Sequence, residues 1–84
     1  MNNKVYALVE EDYFYGEQHY SEELFYTKDD AIKRLNVLRQ CFKNNNDMDD
    51  YIIDADIEDE FDCYLDGWYL NDRYVLYIIE KEIK

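Results

Sequence analysis

From Asp50 to Leu65 the chain alternates: odd positions carry Tyr51, Ile53, Ala55, Ile57, Phe61, Cys63 and Leu65, and even positions carry Asp50, Asp54, Asp56, Glu58, Glu60 and Asp62. Period two is the mark of a strand with one buried face. Ile52 and Asp59 interrupt the alternation, and the whole stretch is too long for one ordinary strand. The pattern therefore predicts two strands with a bend or bulge near Asp59. A short helix over residues 51–57 is the alternative for the first half.

Lys4 to Glu11 predicts another strand, with Val5, Ala7 and Val9 on one face and Tyr6 and Leu8 on the other. Apolar groups on both faces mark it as central. Gly16 and polar residues between Asp12 and His19 predict a hairpin loop that returns through a strand near Tyr20 to Tyr26. Thr27 is a good N-cap, with Asp29 and Asp30 complementing the helix dipole. Ala31, Leu35, Leu38 and Phe42, widened by Ile32, then recur at helical spacing, and Asn44, Asn45 and Asn46 supply a stop. Near the end, a turn centred on Asn71 and Asp72 would pair Tyr69 with Tyr74, Trp68 with Val75 and Leu65 with Ile78, leaving Gly67 as a bulge.

These elements predict a single α+β domain over residues 1–84: a mostly antiparallel sheet of four to five strands, with one amphipathic helix (about 28–43) packed on one face. One helix covers only one face. Some of Tyr6, Leu8, Trp68 and Tyr77 must then pack under a loop, a dimer partner or a target.

Composition sharpens the picture. Apolar residues form 48% of the 84, enough for a folded core, while net charge is −12. A chain so far from neutrality repels nucleic acid and anionic membrane and attracts cations, which argues against direct nucleic-acid binding. The absence of a long apolar run or a basic leader predicts no membrane span and a cytoplasmic location. Cys41 and Cys63 lack metal-binding spacing and read as two packed free thiols. Residue choice favours Phe, Tyr, Met, Ile, Asn and Lys over Gly, Ala, Arg and Pro. That bias suggests an AT-rich genome, compatible with a phage or mobile element of a low-GC bacterium.

The charge is concentrated. Asp47, Asp49, Asp50, Asp54, Asp56, Glu58, Asp59, Glu60, Asp62 and Asp66 fall within 20 residues that hold no Lys or Arg, whereas the remaining 11 acids face 9 bases. An acidic run is commonly the solvated face of an edge strand, but such faces usually mix signs because like charges along a strand destabilise the fold. On a strand, alternate residues lie about 6.6 Å apart, so Asp54, Asp56, Glu58, Glu60 and Asp62 would form a row on one side of the sheet. Charge along two such segments reaches roughly half the density of duplex DNA. Glu10, Glu11, Asp12, Glu17, Glu22 and Glu23 would extend this field only if the first hairpin faces the same way.

The belt does not match a Ca²⁺ loop, since Asp59 stands where a glycine turn is required and Leu65 where a bidentate Glu is required. No metal and no cofactor are expected. A lone His19 in a polar loop and the absence of any Cys/His pairing predict no catalysis. Tyr13, Tyr15, Tyr64, Trp68 and Tyr69 are candidate aromatic anchors for a partner, with a hydrophobic lid as the plainer role for the Tyr13 to Tyr20 cluster.

In size, charge and residue choice the chain resembles the small acidic inhibitors of bacteriophages, the DNA-mimic anti-restriction and anti-CRISPR proteins. The resemblance is compositional and rests on the belt Asp47 to Asp66. It implies a non-enzymatic inhibitor in the cytoplasm of an infected host that occupies the cationic nucleic-acid site of a defence nuclease, best a Cas9-type effector. The belt carboxylates would stand in for phosphates. The alternative is a small regulatory or structural interaction module, binding through an exposed apolar sheet face or as a homodimer.

Overall fold

A computed structural model describes residues 3–14, 16–65 and 72–83. Its elements follow the order β1 (Lys4–Phe14), β2 (Glu17–Phe25), α1 (Lys28–Asn45), β3 (Tyr51–Ile57), β4 (Glu60–Leu65) and β5 (Arg73–Glu82), with one 3₁₀ turn, Met48–Asp50, before β3. The strands form one antiparallel sheet in the order β2-β1-β5-β4-β3. This is the expected α+β architecture. β1 and β5, the two segments apolar on both faces, take inner positions, and the mixed segments β2 and β3 take the edges.

α1 lies on the face that carries Leu8, Phe61, Cys63, Tyr74 and Leu76, and contributes Ala31, Leu35 and Phe42. The Phe42 ring stacks on Tyr74 at 4.3 Å and meets Tyr51 and Phe61 edge-on at 5.3 and 5.9 Å. Thr27 caps the helix by accepting the Asp30 N–H at 3.2 Å. At the other end the side-chain amides of Asn45 and Asn46 donate to the carbonyls of Cys41 and Phe42, both at 2.9 Å. These bonds satisfy carbonyls that a helix end leaves open, and the helix ends at Asn45, inside the asparagine run expected to stop it. Cys41 is exposed rather than packed, because one residue of helix turns it away from the Phe42 stripe.

Two hairpins depart from expectation. The loop expected over residues 12–19 closes to a tight connection: the ladder continues to Phe14 opposite Glu17, and Gly16 adopts φ +80°, a conformation glycine takes at little cost. Asp12 opposite His19 helps to zip this extension, Oδ1 lying 3.0 Å from the ring Nδ1. In the last hairpin, Tyr64 pairs with Arg73, Cys63 with Tyr74 and Asp62 with Val75. The Leu65 N–H donates to the Asp72 carbonyl at 2.8 Å, so Leu65 does not meet Ile78 and Asp72 is not the centre of the turn. The expected and observed registers both preserve face parity, so alternation cannot choose between them. The observed one sets Phe61 against Leu76 in the core and Arg73 beside Asp62. The proposed partners Trp68 and Tyr69, like Gly67 and Asn71, lie outside the described residues.

The second face of the sheet has no helix over it among the described residues, although Ala7 and Val9 on it are fully buried. It carries Val5, Ala7 and Val9 of β1 with Val75, Tyr77 and Ile79 of β5. Leu8 therefore packs under the helix, whereas Tyr77 lies on this open face. Tyr6 is on the helix side, its hydroxyl donating to Glu80 at 3.3 Å. No described helix is long and apolar enough to cross a membrane.

Candidate functional site

The single-sided carboxylate row expected from Asp54 to Asp62 does not form. Ile53 stands opposite Cys63 and Ala55 opposite Asp62, so Asp54 is an extra residue, a β-bulge. An extra residue reverses the parity of everything after it. Asp56 therefore comes opposite Phe61 on the helix face, and Ile57 comes opposite Glu60 on the open face. The expected bend near Asp59 is also present, as the turn between β3 and β4.

On the helix face Asp56 sits between two bases of α1, 2.8 Å from Lys43 Nζ and 3.0 Å from Arg39 Nη1. The Lys43 hydrogen bond, with Arg39 behind it, holds this carboxyl below the usual aspartate range against a smaller opposing effect of burial. Arg39 also donates to the Ile57 carbonyl at 2.5 Å and to Asn36. Asp56 thus ties the helix to an edge strand. Asp56→Asn should lower the unfolding free energy by about 1–2 kcal/mol, read by urea denaturation, since it leaves two partly buried cations short of an acceptor.

On the open face Asp62 takes a bidentate grip from Arg73, at 3.0 Å to Nε and 2.6 Å to Nη2, and Asp54 lies 3.6 Å from the same guanidinium. Asp62 holds the Arg73 pKa above its usual value. Asp59 pairs with Lys28 at 3.3 Å. Four of the ten belt acids are therefore compensated by bases that lie elsewhere in sequence.

Five others have no basic partner among the described residues: Asp47, Asp49, Asp50, Glu58 and Glu60. Asp47 caps the 3₁₀ turn by accepting the Asp49 N–H at 3.1 Å. Asp47, Asp49 and Asp50 precede β3, and Glu58 follows it, so unopposed charge brackets an edge strand. Asp66 lies outside the described residues. The Asp50-to-Glu58 span is roughly 26 Å for extended chain. Between the two ends, Ile52, Ile53 and Ile57 are 38%, 44% and 57% exposed. The sequence pattern pointed Ile53 and Ile57 into the core. The bulge that turns Ile57 out, and the edge position that leaves Ile53 uncovered, have no local signature.

The acids of the first hairpin do not extend the belt. They sit on β1 and β2, and β2 is separated from β3 by four strand spacings, about 19 Å. Glu10, Asp12, Glu17 and Glu23 are on the helix side, and Glu11 and Glu22 on the open side. Glu22 pairs with Lys81, which holds its carboxyl below the usual value, and Glu23 lies 3.3 Å from Arg34. Glu10 accepts from the Tyr74 hydroxyl, whose pKa rises mainly through burial and then through this carboxylate.

Of the aromatic candidates, Tyr13 is 41% exposed and lines an open depression of about 590 Å³ with Gln18, Asp62 and Arg73. Tyr64 is half-buried on the open face, between Ile52 and Arg73. Tyr15, Trp68 and Tyr69 lie outside the described residues. Cys63 is buried, and desolvation followed by the Asp62 charge pushes its thiol pKa up to about 12, which keeps it protonated. Neither cysteine is in a disulfide. No group of three or more His, Cys, Asp or Glu is placed to hold a metal ion among the described residues.

The fold and site together define a small α+β sheet protein with two dissimilar acidic edges. No family model, curated protein or solved structure gives a significant match to the chain.

Proposed function

We propose that this protein is a non-enzymatic inhibitor that presents its β3 edge to the cationic nucleic-acid site of a bacterial defence nuclease, a Cas9-type effector in the first instance. The observation that carries the reading is the distribution of the bases. Lys4, Lys28, Arg34, Arg39, Lys43, Arg73 and Lys81 are each engaged by a carboxylate of the same chain. The charge at Asp47, Asp49, Asp50 and Glu58 at the ends of β3, and at Glu60 beside it, is left for something outside. Carboxylates at the two ends of an extended edge offer guanidinium and ammonium groups the oxygen acceptors a phosphate backbone would. Ile52, Ile53 and Ile57 supply apolar area for the desolvated centre of such a contact.

A second reading rests on the sheet face that no described helix covers. Val75, Tyr77, Ile79 and Leu24 suit a dimeric or regulatory interaction module that binds by apolar contact. Salt separates the two, because unburied charge pairs are screened and apolar contacts are not.

The test is inhibition of DNA cleavage by a guide-loaded effector. Excess duplex should relieve it, and raising salt from about 0.05 to 0.5 M should weaken it at least about tenfold. The variant Asp49→Asn/Asp50→Asn/Glu58→Gln should inhibit at least about tenfold less while melting no lower than the parent. Undiminished inhibition by that variant overturns the proposal. Salt-insensitive binding favours the open-face reading instead.

A further inference from the structure

Both edges of the sheet face solvent, and they are built differently. β3 is broken by the bulge at Asp54 and bracketed by charge, a combination that resists addition of another strand. β2 is regular. Tyr6 to Phe14 pair with Phe25 to Glu17 without a slip, and every β2 side chain except Phe25 is exposed. A nine-residue edge spans about 30 Å, and its outward backbone N–H and C=O groups alternate along the strand without a partner in the sheet. The strand has no proline, lysine or arginine to blunt it.

Two further features select an occupant. β2 and its neighbour β1 bring Glu10, Glu11, Asp12, Glu17, Glu22 and Glu23 to this rim, answered by Arg34 and Lys81 and by the His19 ring beside Asp12 and Glu17. At the far end of the strand, Val5, Leu24, Phe25, Tyr26 and Ile83 form an apolar recess of about 350 Å³. Tyr26 is 83% and Leu24 60% exposed there.

We propose that the β2 edge docks an extended cationic peptide segment as a sixth strand. Main-chain hydrogen bonds supply the ladder, Lys or Arg side chains lie over the acidic rim, and one large apolar side chain enters the recess beside Leu24. Charge decides against a second copy of this chain as the occupant. Pairing β2 with β2 would bring two glutamate-rich strands together, and like charges across strands are destabilising. A cationic strand relieves the same repulsion. This site lies at the opposite edge from Asp47, Asp49, Asp50 and Glu58, and does not depend on the function proposed for them.

The experiment is an NMR titration of the intact ¹⁵N-labelled chain with a capped octapeptide of alternating lysine and valine carrying one phenylalanine near an end. Saturable shifts should map to residues 17–25 and to the recess, and outward β2 amides should gain at least about tenfold protection from exchange. N-methylation of alternate peptide amides should weaken binding at least about fivefold, because it removes the ladder but not the charge. Glu17→Gln/Glu23→Gln and Leu24→Ala, all at exposed positions, should each weaken it about threefold or more. Shifts along residues 47–58 instead, equal binding of the N-methylated peptide, or no saturable binding at millimolar peptide overturns the inference. The first of these leaves the β3 reading intact, whereas loss of nuclease inhibition with an intact β2 titration removes that reading alone.

Discussion

Phe61→Ala should lower the unfolding free energy by about 3–5 kcal/mol, most of what a domain of this size is expected to have. Phe61 is completely buried on β4, opposite Leu76 on one side and Asp56 on the other. Its ring meets Phe42 at 5.9 Å and Tyr74 at 6.2 Å, and Lys43 Nζ lies 5.4 Å over its centroid. Removing it empties the point where the helix, β4 and β5 converge, and it also frees the Lys43 side chain that holds Asp56. In a domain this small each kcal/mol moves the melting point by about 4–8 °C, so the variant should be largely unfolded at 37 °C. Val37→Ala, at an exposed helix position, should change stability by less than about 0.5 kcal/mol. Urea denaturation of the two variants against the parent checks both. A loss below about 1.5 kcal/mol for Phe61→Ala would show that the neighbouring rings close the cavity.

Stability should hold or rise slightly between pH 7 and about 5, then collapse below about pH 4. At neutral pH the chain carries a net charge of −12, and acidification first relieves that repulsion. Asp12 acts in the same direction, since burial, the largest influence on it, raises its native pKa above 3.8. A group with a raised native pKa binds its proton preferentially in the folded state, so acidification through that pKa favours folding. Asp56 and Glu22 oppose this. Lys43 lowers Asp56 from 3.8, and Lys81 lowers Glu22 from 4.5. Their contributions are complete above those unfolded values and disappear as pH falls through the lower folded ones. Once the carboxylates are neutral, the nine Lys and Arg leave an excess of positive charge. The check is circular dichroism of thermal unfolding from pH 7 to 3. An Asp56→Asn variant should show a shallower acid limb, and an unchanged limb would mean that other carboxylates dominate it.

Much of this architecture was legible locally. The Thr27 cap and the Ala31, Leu35, Leu38, Phe42 spacing located α1, because helix periodicity and capping are written within a few residues of one another. Apolar residues on both faces of β1 placed it inside the sheet, because an edge strand with two apolar faces would leave one of them and an open backbone in water. The site was less accessible. Its unopposed charge survives at Asp47, Asp49, Asp50, Glu58 and Glu60, but Asp54, Asp56, Asp59 and Asp62 turn out to be anchoring groups. Nothing near them in sequence announced Lys28, Arg39, Lys43 or Arg73 as partners.

Apart from residues 51–57, which it left open between strand and helix, the sequence by itself determined which segments are helix and strand, that one sheet face lacks a helix, and that the acids outnumber the bases. All three follow from short-range periodicity and counting. Tertiary structure alone decided where the charge acts. A strand pattern states relative parity, and a single inserted residue at Asp54 inverts it, sending Asp56 to the helix and Ile57 to the opposite face. Ion pairs likewise depend on distance in space, so the belt became a compensated middle with an unopposed edge only when α1 and β5 closed against it.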